Sequence, residues 1–212
     1  MIGYIEDPKE IEKKSFEVIN NELEKRELKF DKREKQIITR IIHTTADFGF
    51  ANNTIISNGA IDEGIRAIKR GVGIVTDTRM AQVGIRKRDL IKYGSEINCF
   101  ISDERVYKIA KERGITRSMA AMELASQDPK NGIFVFGNAP TALFRLMELF
   151  EEGKVNPSLV IGVPIGFVGA AQAKERLAVL PVPYITIKGR KGGSNIAVAI
   201  MNALILLANE LV

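Results

Sequence analysis

The segment Ile133-Phe134-Val135-Phe136-Gly137 is a continuous apolar run that ends at a glycine, and a helical pattern over residues 139–152 follows it. The run Leu159-Val160-Ile161-Gly162-Val163 comes after that helix. Short apolar runs bounded by turn residues are typical of strands that are buried on both faces. Two such strands separated by a helix predict neighbouring parallel strands.

The same alternation of strands and helices extends along most of the chain. Further strand-like runs occupy residues 73–77, 97–101 and 183–187, and helices are predicted near residues 59–70, 103–113, 116–126, 168–178 and 194–211. Two more helices, over residues 7–26 and 31–46, precede them, and the first is expected to bury Ile11, Phe16, Val18, Ile19 and Leu23. The pattern predicts an α/β fold, a three-layer α/β/α sandwich with a mostly parallel sheet, as a single domain over residues 1–212.

The composition is that of an ordinary globular protein, since 45% of the residues are hydrophobic and 27% are charged. The single cysteine, Cys99, cannot form an internal disulfide, so a reducing, cytoplasmic setting is expected. No basic and apolar leader is recognisable at the N-terminus, and the apolar run over residues 196–208 is too short to span a bilayer. We therefore expect a soluble protein with no membrane partner.

The charged residues favour an anionic partner. Thirty-one Lys and Arg residues against 26 Asp and Glu residues give a formal charge of +5, which is a mild excess. The positive residues are spread along the chain, no helix is densely basic, and no aromatic residues alternate with them, which argues against nucleic acid. A polycarboxylate or a phosphorylated small molecule accounts for the excess equally well.

The chain contains one histidine, His43, and histidine is the side chain that exchanges protons near neutral pH. On a helical wheel for residues 31–46, the stripe of four isoleucines lies opposite His43, which shares a face with Arg40 and Asp47. A position near the helix C-terminus favours the protonated imidazole. These observations leave two interpretations open, a proton donor and a solvated surface histidine.

Residues that follow the strands are candidates for ligand binding, because ligands of open parallel sheets bind beyond the carboxyl ends of the strands. These segments are Asp77-Thr78-Arg79-Met80, Gly137-Asn138-Ala139-Pro140-Thr141, Gly162-Val163-Pro164-Ile165-Gly166-Phe167-Val168-Gly169 and Gly189-Arg190-Lys191-Gly192-Gly193-Ser194. In the last segment, glycines allow backbone N–H groups to approach an anion, Ser194 begins a helix, and Arg190 and Lys191 add mobile cations. The other interpretation of this segment is a tight turn with exposed charges.

Arg117 follows Thr116 in the first turn of a predicted helix, where a cation opposes the helix dipole. It therefore faces either a ligand anion or solvent. The chain has no GxSxG nucleophile motif, no P-loop, no GxGxxG motif and no spacing of His and Cys residues that is typical of a metal site. The residues alone thus predict an α/β domain with an anion-binding pocket, one candidate proton donor and no metal.

Seven segments, in order along nearly the whole chain, carry a family resemblance. They are Tyr4-Ile5-Glu6-Asp7 with Ser15-Phe16, Arg40-Ile41-Ile42-His43, Asp77-Thr78-Arg79-Met80 with Gly84-Ile85, Thr116-Arg117-Ser118, Gly137-Asn138-Ala139-Pro140-Thr141-Ala142-Leu143, Gly162-Val163-Pro164-Ile165-Gly166-Phe167-Val168-Gly169-Ala170-Ala171, and Gly189-Arg190-Lys191-Gly192-Gly193-Ser194. Together they resemble the precorrin-8X methylmutase family of cobalamin biosynthesis, which includes the cobalt-precorrin-8 methylmutases. The fifth and sixth segments are the most specific.

The resemblance implies an isomerase that moves a methyl group from C-11 to C-12 of precorrin-8X or cobalt-precorrin-8, giving hydrogenobyrinic acid or cobyrinic acid. It implies that His43 is the catalytic general acid and that the substrate is a tetrapyrrole polycarboxylate. The substrate-binding residues that it implies are Tyr4, Ser15, Thr44, Thr78, Arg79, Arg117, Ser118, Asn138, Gly189, Arg190, Gly193 and Ser194. It also implies a homodimer with shared active sites and no cofactor, since any cobalt belongs to the substrate.

Two segments depart from the pattern of the family. Residues 44–47 differ from the small residues of the aerobic-pathway members, and Gln172-Ala173 replaces an acidic residue and a serine. These departures leave the role of Asp47 open and favour a substrate that contains cobalt.

A corrinoid-binding or carrier protein without catalysis is the alternative function. The methylmutase interpretation makes a geometric prediction that can be compared with a structure. His43 should border the same cavity as Arg117 and Ser194, either within one chain or across a dimer interface.

Overall fold

A six-stranded sheet forms the centre of the computed structural model, which describes residues 4–210. In chain order its strands are β1 (Thr54–Ile56), β2 (Gly73–Thr76), β3 (Ile97–Asn98), β4 (Asn131–Phe136), β5 (Leu159–Gly162) and β6 (Tyr184–Ile187). In space the order is β1-β6-β5-β4-β2-β3, and all neighbours are parallel except β1 and β6. The prediction of a mostly parallel sheet is confirmed.

Helices cover both faces of this sheet. In the described part of the chain they are α1 (Pro8–Lys25), α2 (Lys32–Thr45), α3 (Gly49–Asn53), α4 (Ala60–Lys69), α5 (Arg79–Gly84), α6 (Lys87–Leu90), α7 (Glu104–Arg113), α8 (Arg117–Ala125), α9 (Pro140–Glu151), α10 (Ala170–Leu177) and α11 (Ser194–Glu210), with a 3₁₀ turn at Ile91–Tyr93. Helices α2, α4 and α11 lie on one face, and α7 to α10 lie on the other. The predicted α/β/α sandwich is confirmed.

The side chains of β4 show how the sheet serves two cores. Ile133 and Val135 belong to the core on the side of α11, whereas Phe134 and Phe136 belong to the core on the side of α8 and α9. All four are buried, because successive residues of a strand point to opposite faces and both faces are covered. This double burial explains why the segment is apolar at every position.

Helix α2 packs on two sides. Its residues Ile37 and Ile41 join the core beneath α11, while Ile38 and Ile42 join a smaller cluster with α1. Helix α1 therefore lies outside the three layers, on the outer side of α2. This arrangement leaves one flank of α2, the one that carries His43, open to solvent.

Several features differ from the sequence predictions, among them the short helices α3, α5 and α6, which were not predicted. Strand β1 was not predicted, because three residues are too few to give a periodic signal. The strand predicted over residues 97–101 is limited to β3, since the chain turns away at the edge of the sheet. Ile11 and Val18 are 44% and 63% exposed, so their predicted burial is wrong. Helix α2 covers only part of the apolar face of α1.

The helix predicted over residues 194–211 is observed as α11, and Leu211 lies outside the described residues. The prediction of one domain over residues 1–212 also includes residues 1–3 and 212, which are not described, and it stays a prediction.

Between residues 4 and 210, the structure contains no helix that is both long enough and apolar enough to cross a bilayer.

Candidate active site

His43 lies in the last turn of α2 and is exposed. Asp31 caps the start of the helix. Its carboxylate accepts the N–H groups of Arg33 and Glu34, while the Glu34 side chain accepts the N–H of Asp31. The helix ends where Ala46 adopts a left-handed backbone conformation with a φ of 53°. These two boundaries place His43 in the last turn of the helix, just before the chain changes direction.

The ring of Phe16, on α1, packs against the His43 imidazole. The ring centroids are 5.2 Å apart and the planes meet at 89°, which is an edge-to-face contact. The guanidinium of Arg40 lies 5.2 Å from the centroid of the same Phe16 ring. His43 and Arg40 therefore share one flank of α2, in agreement with the helical wheel.

Two cavities meet at His43. The first, which we call the apolar groove, has a volume of about 640 Å³ and is lined by Ile5, Ile11, Lys14, Ser15, Val18, Ile19, Ile42, His43, Ala46 and Phe48. The second, which we call the polar cavity, has a volume of about 320 Å³ and is lined by Arg40, His43, Thr44, Met80, Gly84, Ser194, Asn195, Val198, Ala199 and Asn202. The imidazole thus forms part of the wall between an apolar space and a polar one.

The loops at the carboxyl ends of β2 and β4 are joined by Asp77. Its buried carboxylate accepts the N–H groups of Gly137, Asn138 and Ala139 at 3.0, 2.7 and 2.8 Å. Burial raises the pKa of Asp77, although these N–H donors act in the opposite direction. The side chain is fully engaged inside the protein, so its contribution is to hold the two loops together.

The glycine-rich turn, residues 189–193, is packed closely against the end of β5. Gly193 has a φ of 138°, and its N–H donates to the carbonyl of Val163 at 3.0 Å. A Cβ atom at Gly192 would lie 2.2 Å from the same carbonyl oxygen, so this position requires glycine. The amide of Gly193, which the sequence suggested as an anion donor, is therefore used within the protein.

Asp47 follows the end of α2 and turns toward the glycine-rich turn. Its carboxylate accepts the N–H of Gly49 at 2.8 Å and forms an ion pair with Lys191 Nζ at 2.5 Å. The hydrogen bond from Lys191, and next that from Gly49, lower the pKa of Asp47. The predicted placement of Asp47 on the His43 face is wrong, because α2 has already ended at Thr45. Lys191, expected as a mobile cation, has an internal partner.

Several of the predicted substrate-binding residues lie at these cavities. Thr44 and Ser194 line the polar cavity, and Ser15 lines the apolar groove. Thr78 lies beside them, since its hydroxyl oxygen is 2.8 Å from that of Ser194. Thr78 also accepts the N–H of Ala81 at 3.1 Å and so begins α5.

Others lie along the carboxyl edge of the sheet but line neither cavity. Arg190, which follows Gly189 in the glycine-rich turn, has its guanidinium 5.7 Å from the centroid of the Phe167 ring. Arg79 donates through Nε to the hydroxyl of Ser102 at 3.3 Å. Two other predicted substrate-binding residues are exposed at the surface: Asn138, which follows β4, and Tyr4, which precedes α1.

Arg117 and Ser118 begin α8, in the helix layer opposite to α2. The Arg117 guanidinium donates to the Tyr107 hydroxyl at 2.6 Å and lies 4.9 Å from the centroid of that ring. Arg117 lines neither of the two cavities at His43. Within one chain, the structure therefore brings His43 to Ser194 but does not bring Arg117 to them.

Two asparagines of the polar cavity, Asn195 and Asn202, are not among the predicted residues. Asn202 accepts the N–H of Arg86 at 2.9 Å and donates to the carbonyl of Gly84 at 3.1 Å, which fixes the end of α5 against α11. A polar residue inside the apolar run over residues 196–208 is the signal that could have identified Asn202.

The site offers an accessible imidazole, an arginine and an apolar surface close together. Such an arrangement can exchange a proton with an apolar ligand that carries anionic groups at its edge. Across residues 4–210, no three or more His, Cys, Asp or Glu side chains are grouped so that they could hold a metal ion.

The chain is similar to known proteins over nearly its whole length. A family model described as precorrin-8X methylmutase matches residues 10–207. The cobalt-precorrin-8 methylmutase of Salmonella typhimurium is 48% identical over 213 residues, covering 98% of this chain and 99% of that protein. The cobalt-precorrin-8 methylmutase of Priestia megaterium is 46% identical over 203 residues, covering 96% of this chain and 89% of that protein.

The fold is also that of a solved structure. The crystal structure of precorrin-8X methylmutase from Thermus thermophilus matches with a TM-score of 0.87 and 37% sequence identity, over 95% of this chain and 97% of that chain. The matches in sequence and in fold both extend over nearly the full length. The chain therefore belongs to the precorrin-8X methylmutase family, whose members are isomerases.

Proposed function

We propose that the chain moves a methyl group from C-11 to C-12 of cobalt-precorrin-8, with His43 as the general acid. The observation that carries the proposal is the position of His43 between the apolar groove and the polar cavity. A corrin-like substrate has a broad apolar ring with acetate and propionate groups at its edge. The apolar groove can contact the apolar ring, and the polar cavity, which includes Arg40, can bind the carboxylates.

The reaction is an internal rearrangement that needs neither an oxidant nor a reductant. The bond from the methyl carbon to C-11 breaks as its bond to C-12 forms, and the double bonds of the ring shift to match. His43 lends a proton to the macrocycle and takes it back when the product forms. General acid assistance of this kind contributes roughly 10²–10⁴-fold, and holding the ring in a reactive geometry supplies the rest. No cofactor takes part, since any cobalt belongs to the substrate.

The neighbours of His43 support this role. The edge contact with Phe16 restricts the rotation of the imidazole. The cation of Arg40, which lies over the same ring and also pairs with the Glu12 carboxylate at 3.5 Å, attracts a substrate carboxylate to the region of His43. Together they favour a substrate whose apolar ring and anionic edge both contact this end of α2.

The choice of cobalt-precorrin-8 over precorrin-8X rests on the names of the two relatives given above and on the departures at residues 44–47 and at Gln172-Ala173. Precorrin-8X stays the alternative substrate, and turnover measured with each compound separates the two. A cytoplasmic location also stays a prediction, based on the single cysteine.

We further propose that the protein acts as a homodimer with shared active sites. The support for this step is the position of Arg117, which lines neither cavity at His43 in its own chain. A site that contains both residues takes Arg117 from the partner subunit. A guanidinium there would bind a substrate carboxylate through paired hydrogen bonds.

The change His43→Ala tests the proposal. We expect turnover to fall by at least ~10²-fold, because the proton donor is lost, while corrinoid binding persists. Conversion is followed by the change in absorbance between substrate and product, and binding by titration. The matched control is Lys111→Ala, which removes an exposed basic residue from the last turn of α7.

Unchanged turnover of the His43→Ala protein would exclude His43 as the general acid. A wild-type protein that binds the corrinoid without converting it would instead support the carrier function.

A further inference from the structure

The ion pair between Asp47 and Lys191 connects two segments that form the polar cavity. Asp47 follows the end of α2, which carries His43, and Lys191 precedes Ser194 at the start of α11. His43 and Ser194 both line the polar cavity. The pair therefore links the segment of the candidate proton donor to another segment that lines the same cavity.

Lys191 is held at both its backbone and its side chain. Its carbonyl accepts a hydrogen bond from Lys174 Nζ at 2.7 Å, and Lys174 is only 2% exposed. Its ammonium group lies 5.4 Å from the centroid of the Phe50 ring, in addition to its contact with Asp47. The ammonium group of Lys191 therefore already has two partners within the chain.

Asp47 is held as well. Its N–H donates to the Thr45 hydroxyl at 3.3 Å, and one of its carboxylate oxygens accepts the N–H of Gly49 at 2.8 Å. A Cβ atom at Gly49 would lie 2.9 Å from that oxygen and 3.7 Å from Lys191 Nζ. A side chain at residue 49 would thus press on the Asp47 carboxylate.

The ion pair contributes little to the stability of the fold. The side chains of Lys191 and Asp47 are 58% and 37% exposed, and ion pairs this open to solvent contribute little. Its two partners come from distant parts of the sequence and meet beside the candidate site. A function in placing the site accounts for such a contact better than a function in folding.

We propose that Asp47 and Lys191 are positioning residues, and that their ion pair sets the distance and orientation of His43 relative to the start of α11. This inference rests on the proposed function of His43 and gives Asp47 a role. Misplacing a proton donor by about 1 Å can reduce a rate by ~10²-fold without removing any group that touches the substrate.

Direct binding of a substrate carboxylate by Lys191 is the competing explanation. The two explanations predict different effects of Asp47. A positioning pair needs both partners, so removing either one lowers the rate of the chemical step. A direct ligand needs only Lys191, and its loss raises KM.

The experiment compares Asp47→Asn, Lys191→Met, Lys191→Arg and the exchanged double variant Asp47→Lys with Lys191→Asp. For each protein, kcat and KM are measured with cobalt-precorrin-8. We expect both single variants that break the pair to lose about 3- to 5-fold in kcat, since a pair this exposed contributes little free energy, with KM changed by less than about 2-fold. Lys191→Arg keeps the ion pair and should retain most of the activity.

The exchanged double variant should regain part of the lost kcat, because the opposite charges meet again. Where it does not fold, as judged by circular dichroism, the comparison of the single variants with Lys191→Arg still decides. The matched control is Arg176→Gln, which breaks an ion pair of similar exposure with Glu151 on the other side of the sheet and should leave kcat unchanged.

Wild-type kcat in both Asp47→Asn and Lys191→Met would overturn the inference. So would a large rise in KM for Lys191→Met with no effect of Asp47→Asn, which would favour direct binding. The result for His43→Ala separates this inference from the proposed function. Loss of turnover in His43→Ala with full activity in the pair variants rejects the positioning role alone.

Discussion

At the scale of single residues, Lys174 is a buried lysine with one strong partner, the carbonyl of Lys191. Burial lowers its pKa to about 8, whereas an unfolded chain gives lysine a pKa of about 10.4. Between these two values the unfolded chain binds more protons than the folded chain. The free energy of unfolding therefore rises as the pH increases through this window and falls as the pH drops toward about 8.

The change Lys174→Met removes this titration while it keeps a side chain of similar length. We expect the free energy of unfolding of the wild type, relative to that of Lys174→Met, to increase with pH from about 8 to about 10. Urea unfolding of both proteins at three pH values in this range measures the difference. Other titrating groups are common to the two proteins and cancel. A difference that stays constant across the range would contradict the assignment of this pKa.

Single residues also show which positions could be predicted from the sequence and which could not. The wheel correctly placed His43 and Arg40 on one flank of α2. It misplaced Asp47, because a wheel continues a helix past the left-handed residue that ends it. The three N–H groups on Asp77 could not be predicted either, since they depend on which strands become neighbours.

At the scale of elements, apolar periodicity predicted the helices of eight or more residues, but it predicted neither the shorter helices α3, α5 and α6 nor what covers each apolar face. The helix predicted over residues 31–46 is observed as Lys32–Thr45, and its isoleucines are buried. On α1 the same kind of pattern led to a wrong prediction for Ile11 and Val18. Periodicity identifies an apolar face, but only the tertiary arrangement decides whether a protein element or a ligand covers it.

The two helices give a prediction that separates stability from binding. Ile37→Ala opens a cavity in the core and should cost about 2–5 kcal/mol of unfolding free energy. Ile11→Ala, on the apolar groove, should cost less than about 1 kcal/mol and weaken corrinoid binding by about 3- to 10-fold, because apolar surface for the ring is lost. Urea unfolding and corrinoid titration measure the two effects.

Val179→Ala is the control for Ile11→Ala, since Val179 is 80% exposed and lines neither cavity. It should leave both stability and binding nearly unchanged. Corrinoid binding by Ile11→Ala that equals that of the wild type would show that the groove does not hold the ring.

At the scale of the whole molecule, the helix layers separate His43 from Arg117, and this separation predicts the outcome of mixing subunits. Proteins with His43→Ala and with Arg117→Ala should each be nearly inactive. In mixed dimers of the two, one site regains both residues, so random mixing should restore roughly a quarter of the wild-type activity. Activity after co-expression or subunit exchange measures the recovery.

Mixed dimers that are formed and remain inactive would place Arg117 outside the shared site.

The sequence predicted the fold class and the carboxyl edge at which the site lies, because strand–helix alternation determines both. It could not predict which of the two helix layers each residue joins, as Arg117 illustrates. That choice depends on the path of the chain across the sheet.

The margins of the sheet have a consequence for how the protein behaves at high concentration. The outer strands are β1, with three residues, and β3, with two. A long unpaired strand presents free N–H and C=O groups to which a strand of another molecule can add, and this addition starts aggregation. Two margins this short offer few such groups. The brevity of β1 and β3 thereby protects a strongly apolar sheet from growing into fibres.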